Sequence, residues 1–498
     1  MTVKELLAAV PHRLLKGNEE REAGGICMNT NEMKAGDVYI CIRGARFDAH
    51  DMISEIAETD PAMIMVSEEW AAEHDISGID ANIAAVEDSR AAKAQIAAAW
   101  YGHPADRMTV IGITGSKGKT TTAHMIASIL QEAGHETGTI GTNGAIIKGH
   151  VHELPNTTPD SEDMQKYLAE MVKAGCTHAV IECSSQGLMQ HRCDAIDFRY
   201  GIFTNIERGD HVGPNEHKSF EEYLFCKGLL LKKSRTAVVN RDNQYVDALL
   251  SDIDTPVIFY GHEKEGVRPD YYMTPAEHVK AGSEPGIRFT VGGRVNGEFF
   301  VNLPGDFNAD NALAAIAVCH ELGIEDEVIR DALSHVSIKG RLEMVYRTPQ
   351  LSICVDFAHN GYSTRNLLVA LREYDPKRLI CIFGADGNRA YSRRTLMGEA
   401  SGRLADLSII TSGHNRWETF DEILKGIKEG IDPTGGKYIV EPNRQKAIRD
   451  AIENAQDGDL ITIIGLGHES YQEEGGVKYP YSDRDYVLQV LKECGRIS

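Results

Sequence analysis

The tightest constraint on this chain is the run from Met108 to Gly134, where a strand-like MTVIGIT passes through Gly112-Ile-Thr-Gly115-Ser-Lys-Gly118-Lys119-Thr120 into a helix-like TTAHMIASILQEAG. An apolar strand feeding a glycine-rich turn and then a helix lets successive backbone N–H groups curl around an anion at the positive end of the helix. Lys119 is placed to reach terminal phosphates, and the Thr120 hydroxyl is placed to ligate magnesium. Gly115, Ser116, Lys117, Gly118 and Thr121 complete a loop expected to bind ATP. Glycine falls at Gly112 and Gly115 rather than five positions before Gly118, so the spacing departs from the strict P-loop pattern. A plain glycine-rich turn is the alternative, and the GKTT ending in a strand-to-helix setting favours the phosphate loop.

Further apolar runs at HAVIEC, YGIFTN and TAVVN, spaced by helical or polar stretches, predict parallel strands buried on both faces of a doubly wound sheet. The segment 256–301 alternates instead, in GIRFTVGG and GEFFVNL, which predicts an antiparallel excursion before a helix over 311–322. After IKGRLEMV a second alternation begins: LSICVDF, a helix from Ser363 to Arg372, RLICIFG, a helix near 397–405, LSIIT, two helices and DLITIIG. That pattern is a second, Rossmann-like unit. Ahead of the phosphate loop, DVYICI, a helix-like stretch around 53–57 and AMIMV read as a small α/β unit. A helix near 90–100 then leads to a linker at Gly102 and Pro104. With 498 residues and roughly 150 per domain, the chain is expected to be a three-domain α/β protein: 1–104, a central 105–338 and a C-terminal 339–498.

Lys plus Arg is 52 against 74 for Asp plus Glu, so the formal charge is 52 − 74 = −22 and a broad nucleic-acid surface is disfavoured. Any anionic substrate needs a local basic pocket. No apolar run approaches the roughly 18 residues of a membrane helix, and Lys4 and Glu5 interrupt the start, so a cytoplasmic protein without membrane insertion is expected. The 10 cysteines form no C-x-x-C pair, which predicts buried reduced thiols rather than zinc or disulfides.

The form GSKGKTTT resembles the ATP loop of the Mur ligase family, cytoplasmic enzymes that extend the peptidoglycan peptide. The resemblance runs through all three proposed domains and is greatest for the members that add the third amino acid to UDP-N-acetylmuramoyl-L-alanyl-D-glutamate. It implies ATP and Mg2+ as cofactors, held by Thr120, by Glu182 in IECSSQ, by His211 in RGDHVGPNEH and by a carbamylated Lys227 in EYLFCKGLLL. Hard oxygen ligands suit that cation; an amine cannot bind one, whereas a carbamate offers two anionic oxygens. Lys119, Glu182, His211 and Lys227 would form the catalytic set. Taken alone, Lys227 would be a solvated helix charge.

GDFNADN resembles the family's GxFNxxN motif, which implies a nucleotide contact for Asn311; a helix cap is the alternative. KGRLE implies Arg341 near the ATP phosphates or ribose, and VDFAHN implies Asp356 on the ribose with His359 beside it. Contacts from two domains imply a closure that excludes water. PNTTPD, with Asn156, Thr157 and Thr158, and IECSSQGLMQHR, with Ser184, Gln190 and Arg192, resemble segments that hold the muramoyl peptide, although Gln186 replaces a usual histidine. MNTNEMKAGDVYICIRG resembles the uridine-binding segment; Thr30 keeps a hydroxyl and Asn31 replaces an arginine.

For the incoming amine, IFGADGNR supplies Arg389, and SGHNRWE aligns with the DNPR of members that add meso-diaminopimelate. Arg416 survives there, while Gly413, His414 and Asn415 replace the first three residues. IGLGHE resembles GKGHE, keeping Gly465, His468 and Glu469 with Leu466 in place of lysine. Glu469 would meet a distal ammonium and the arginines would hold carboxylates, leaving lysine, ornithine, diaminopimelate or a rarer residue open; an exposed charge pair is the alternative.

The expected reaction is phosphorylation of the D-glutamate side-chain carboxylate to an acyl phosphate, then capture by the amine, with Asp356 or His359 as a candidate base. A monomer acting on small molecules is expected. Competing readings are a ligase with another acyl acceptor, in folate polyglutamylation or specialised metabolism, and a nucleotide-binding protein that has lost ligation. NTTPD with QHR favours the muramoyl peptide, and the retained Lys119, Glu182, His211 and Lys227 argue against loss.

Overall fold

The continuous apolar runs do form buried strands. In a computed structural model, residues 1–498 are described except for 45–46, 209–210, 214–215, 265, 267, 280–285 and 498. The chain forms two compact units, Met1–Tyr260 and Gly261–Ser498.

The first unit opens with β1 (Arg13–Lys16), β2 (Gly25–Cys27), β3 (Asp37–Ile40), β4 (Met63–Ser67) and β5 (Ile83–Val86), ordered β1-β5-β4-β3-β2. The pairs from β2 to β5 are parallel and the polar edge strand β1 is antiparallel to β5. Helix Ser89–Trp100 starts where Asp88 accepts from the N–H groups of Arg90 and Ala91, and its Ala92, Ile96 and Ala97 pack with Val38, Ile40, Met63 and Met65.

A second sheet follows, built from β6 (Thr109–Thr114), β7 (Thr137–Gly141), β8 (Gly144–Ile147), β9 (His150–His152), β10 (His178–Glu182), β11 (Phe198–Phe203), β12 (Ser234–Asn240) and β13 (Val257–His262). Its order is β13-β12-β11-β6-β10-β7-β8-β9. It is parallel from β13 to β7, and β8 and β9 add an antiparallel extension that the sequence pattern did not signal. Strand β6 is central, flanked by β10 and β11, and the chain leaves it in both directions. The carboxyl ends of these three strands therefore frame the crevice in which doubly wound sheets bind ligands.

In the second unit, β16 (Gly286–Gly293) pairs antiparallel with β14 (Tyr271–Met273), β15 (Glu277–Val279) and β17 (Gly297–Val301), as the alternation over 256–301 predicts. The following helix spans Phe307–Glu321 and so starts four residues before the expected position. Asn308 and Asp310 look like turn residues, but Asn308 Nδ2 donates to Pro304 O, ahead of the helix, at 2.7 Å and Asn308 Oδ1 accepts from Asn311 Nδ2 at 3.1 Å, so the Asn308 amide is partnered on both sides of the first turn. The last sheet contains β18 (Glu343–Arg347), β19 (Leu351–Asp356), β20 (Arg378–Phe383), β21 (Leu407–Ile410), β22 (Tyr438–Val440) and β23 (Asp459–Ile464), in the order β18-β19-β23-β20-β21-β22. Strand β18 is an antiparallel edge, and β23, last in sequence, lies in the centre. Helix Tyr391–Leu404 begins before the expected 397 because its first turn, Tyr-Ser-Arg-Arg, is polar. A hairpin, β24 (Tyr471–Glu474) with β25 (Val477–Pro480), completes the unit.

All cysteines are free; nine are buried and Cys494 is exposed, against the expectation of uniform burial, because it caps the C-terminal helix. No helix among the described residues is long and apolar enough to cross a membrane.

One buried ion pair ties the last sheet together. Arg444 Nε and Nη2 each donate to the Asp483 carboxylate at 2.7 Å, with the side chains 1% and 0% exposed. Nη2 also donates to Ile464 O at 3.0 Å and Nη1 to Ser412 O at 3.2 Å, so one guanidinium holds the segments that follow β23 and β21. Removing one partner leaves a buried charge uncompensated. Arg444→Ala is expected to cost about 3–5 kcal/mol of unfolding free energy, read by urea titration; a loss below about 1 kcal/mol would contradict this role.

Candidate active site

The phosphate loop is shaped from behind by the segment that follows β11. Thr204 Oγ1 donates to Lys117 O at 2.7 Å, Asn205 O accepts from Ser116 N at 2.9 Å, and Asn205 Oδ1 accepts from Lys117 N at 2.9 Å. A Cβ on Gly115 would lie 1.9 Å from Thr204 Oγ1, so glycine is required for this approach. Gly118 has φ +85°, in the left-handed region, and immediately precedes helix Lys119–Glu132. No side chain caps that helix, which leaves its first N–H groups facing an anion position. Lys119 Nζ folds back on Gly115 O at 2.7 Å. Thr204 and Asn205 were missed by sequence reasoning; their signal was the polar pair ending YGIFTN.

Glu182, the last residue of β10 and 2% exposed, joins this loop to the segments expected to hold substrate. Its Oε2 accepts from Thr120 Oγ1 at 2.9 Å and Thr142 Oγ1 at 3.2 Å, and its Oε1 accepts from Thr142 N at 2.9 Å. Gly141 makes room: a Cβ there would lie 2.1 Å from Glu182 Oε1. Thr142 Oγ1 is 3.2 Å from Thr157 Oγ1, and Thr158 Oγ1 donates to the Glu182 carbonyl at 2.8 Å while lying 3.0 Å from Ser184 Oγ. Ser184 caps helix Ser185–Met189 by accepting from Gly187 N. Arg192 Nη1 donates to Thr158 O at 2.6 Å and Nη2 to Gln190 Oε1 at 2.7 Å. Thus Thr120, Glu182, Thr157, Thr158, Ser184, Gln190 and Arg192 form one hydrogen-bonded cluster; Asn156 adjoins it in the chain.

Asp160, beyond Thr158, pairs with Lys93 of helix Ser89–Trp100 and so joins this cluster to the N-terminal sheet. Burial raises the Asp160 carboxyl, but Lys93 and then Arg192 outweigh it and hold it below the usual carboxylate range. Thr30 sits in a turn after β2 in which Asn29 Oδ1 accepts from Asn31 N at 3.1 Å.

Lys227 is 1% exposed, with its ammonium 4.5 Å above the Tyr223 ring centroid, and the Tyr223 hydroxyl is 2.8 Å from Ser116 Oγ. The lysine is therefore joined to the phosphate loop through Tyr223. His211 lies at the same ring, 5.7 Å between centroids, with Nδ1 3.4 Å from Glu216. A second histidine, His217, also escaped the sequence reading although it stands six residues after His211. It is fully buried, with Nε2 2.8 Å from Ser185 Oγ, and burial lowers its pKa.

In the second unit, Arg341, Asp356 and His359 gather around Phe357. The Arg341 guanidinium lies 4.9 Å from that ring centroid and His359 4.8 Å from it. Asp356 Oδ2 accepts from Leu342 N at 2.8 Å and Oδ1 from Ala358 N at 2.7 Å; burial pushes its carboxyl up against the opposing pull of Arg341. Glu343 accepts from Gly340 N at 2.7 Å and Arg484 Nε at 2.7 Å, so it shapes the KGRLE turn. Gly465 N donates to Asp356 O at 3.2 Å, linking this group to the segment that carries Glu469.

Around the expected amine pocket, His414 Nε2 lies 2.8 Å from Glu469 Oε2, and Arg416 lies 3.5 Å from Asp386 and 3.8 Å from Glu473. Asn415 is 5% exposed with its Oδ1 unpartnered, and Arg389 is exposed on the loop after β20. Burial raises the Asp386 carboxyl.

Residues 113–319 match the Mur ligase middle domain, and residues 340–467 match the Mur ligase glutamate ligase domain. The chain is 37% identical over 495 residues, 99% of each chain, to the UDP-N-acetylmuramoyl-L-alanyl-D-glutamate--2,6-diaminopimelate ligase of Caldanaerobacter subterraneus. The identically named protein of Aquifex aeolicus is 36% identical over 479 residues, 95% of this chain and 94% of that one. A solved structure of a ligase with the same name aligns over 100% of both chains with a TM-score of 0.69 at 23% identity. The Mycobacterium tuberculosis folylpolyglutamate synthase aligns over 75% of this chain and 92% of that one, with a TM-score of 0.60 at 17% identity. Full-length relatives of this similarity, together with both domain matches, show that the chain belongs to the Mur ligase family.

Proposed function

We propose that this chain is an ATP-dependent, ADP-forming ligase that joins a diamino acid to the D-glutamate side-chain carboxylate of UDP-N-acetylmuramoyl-L-alanyl-D-glutamate. The observation that carries this reading is the Glu182 cluster. A single buried carboxylate contacts Thr120 of the phosphate loop and, through Thr142 and its own carbonyl, Thr157 and Thr158 of the NTTPD segment. The relatives named for this activity match the chain over 95–99% of its length. Residues 1–104 are assigned to the uridine end of the substrate, 105–338 to ATP and the muramoyl peptide, and 339–498 to the amine.

The carboxylate that accepts the phosphoryl group needs no general base at the first step, because it is ionised at neutral pH. Its oxygen attacks the γ-phosphorus, the bond to the β-phosphate oxygen breaks, and ADP leaves. The amine then attacks the acyl carbon, loses a proton and expels phosphate. Lys119 and the uncapped N–H groups at the start of helix Lys119–Glu132 hold the charge that spreads over the phosphoryl group. Arg192, Gln190, Thr157, Thr158 and Ser184 orient the muramoyl peptide, with Thr30 toward the uridine. Asn311, Arg341, Asp356 and His359 are assigned to the nucleotide, and Arg389, Arg416, His414, Asn415, Gly465 and Glu469 to the amine.

The adjacent Thr120 hydroxyl and Glu182 carboxylate are hard oxygen donors that fit Mg2+. That ion would neutralise phosphate charge. A carbamate on Lys227, whose nitrogen stands over the Tyr223 ring that contacts Ser116 of the loop, would offer two further anionic oxygens, with His211 at the same ring. A cytoplasmic monomer accords with this chemistry.

Incubating the protein with ATP, Mg2+, UDP-muramoyl dipeptide and a panel of lysine, ornithine and 2,6-diaminopimelate is expected to release phosphate and yield the tripeptide mass with one of them. Phosphate release only with a folate acceptor would replace this reading. Glu182→Gln and Gly141→Ala are each expected to lower kcat by about 100-fold or more while the far-ultraviolet circular dichroism stays unchanged. Activity within about threefold of the parent protein would remove Glu182 from the chemistry.

A further inference from the structure

The segment Gly413-His414-Asn415 and the β24–β25 hairpin meet in an arrangement that dictates the protonation of one histidine. The peptide N–H of Glu473 points at His414 Nδ1 at 3.0 Å. A peptide nitrogen only donates, so Nδ1 must offer its lone pair and the ring proton must sit on Nε2. Nε2 in turn lies 2.8 Å from Glu469 Oε2 and donates to that carboxylate, with the two side chains 3% and 20% exposed. Further contacts frame the ring: Arg416 N donates to Glu473 O at 3.1 Å, Gln472 Nε2 donates to Gly413 O at 2.9 Å, and the Tyr471 ring lies 5.0 Å from the imidazole.

The electrostatic consequence is specific. An imidazole whose Nδ1 accepts from a peptide donates one hydrogen bond to Glu469 without placing a positive charge beside it. Arg416 is drawn instead toward Asp386 and Glu473. Among the described residues Glu469 has no lysine or arginine partner. Its second oxygen, Oε1, is 3.5 Å from the Tyr471 hydroxyl, which leaves capacity for another donor.

We infer that His414 is a positioning residue that, with its tautomer set by the Glu473 peptide, aims Glu469 as an uncompensated carboxylate at the distal ammonium of the incoming amino acid. The amine class rests on the function proposed above; the tautomer does not. Selection for a cationic side chain then comes from this half-buried carboxylate, which gains a charged partner when the ammonium arrives.

Two measurements test this. In protein labelled with 15N-histidine, the His414 signals, identified by their loss in His414→Gln, are expected to show a protonated Nε2 and an unprotonated Nδ1 at neutral pH. A proton on Nδ1, alone or with Nε2, would overturn the inference even if the enzyme ligates as proposed. In steady-state assays, kcat/KM is compared for an amine with a distal ammonium and its des-amino analogue, lysine against norleucine and 2,6-diaminopimelate against 2-aminopimelate. The preference for the ammonium is expected to fall at least about tenfold in His414→Phe, through KM for the amine rather than kcat. His414→Gln, whose amide can donate from the Nε2 position, is expected to recover most of it. An unchanged preference in His414→Phe would refute the positioning role. If no amine is ligated at all, the proposed function fails and the NMR result still decides the tautomer.

Discussion

A carboxylate taken out of water must have its lone pairs filled, and Glu182 meets that demand by drawing three threonines from three segments onto one residue. Its side chain takes the Thr120 hydroxyl and both polar groups of Thr142, and its carbonyl takes Thr158. None of these segments is adjacent in sequence. Gly141 allows the approach because a single added carbon would occupy the place of a carboxylate oxygen. The glycine-rich loop and the NTTPD segment are thus parts of one polar network, so that a change at either end is felt at the other.

The same unit carries the groups expected to hold an anion in an acidic chain. With a formal charge of −22, attraction to phosphate has to be local. The candidates are the uncapped start of helix Lys119–Glu132 and Lys119 itself, on a loop that Thr204 and Asn205 brace through both the N–H groups of Ser116 and Lys117 and the Lys117 carbonyl. Lys93 and Arg192 place two more cations beside Asp160 and Thr158, joining the N-terminal sheet to the substrate segment.

The C-terminal unit follows a different principle: its site is built on bonds between strand ends and a late hairpin. Arg444 anchors the segments after β21 and β23, while β24–β25 orients His414 and Arg416 through main-chain bonds. In the stretch expected to correspond to DNPR in members that add meso-diaminopimelate, Gly413-His414-Asn415-Arg416, the hairpin thus holds His414 and Arg416.

Local pattern alone determined much of this protein. The strand–loop–helix around Lys119, the parallel runs, the antiparallel excursion in 256–301 and the second alternating unit all follow from periodicity and glycine placement, which act over a few residues. Motif resemblance singled out Glu182, Thr158, Arg192, His414 and Glu469 one at a time. Tertiary structure alone decided that Glu182 bonds Thr120 and Thr158, that Thr204 and Asn205 brace the loop, that His217 is buried, and that a hairpin sets the His414 tautomer. Such pairings depend on which strand ends lie side by side and on which buried polar groups must find partners, and neither is encoded by spacing along the chain.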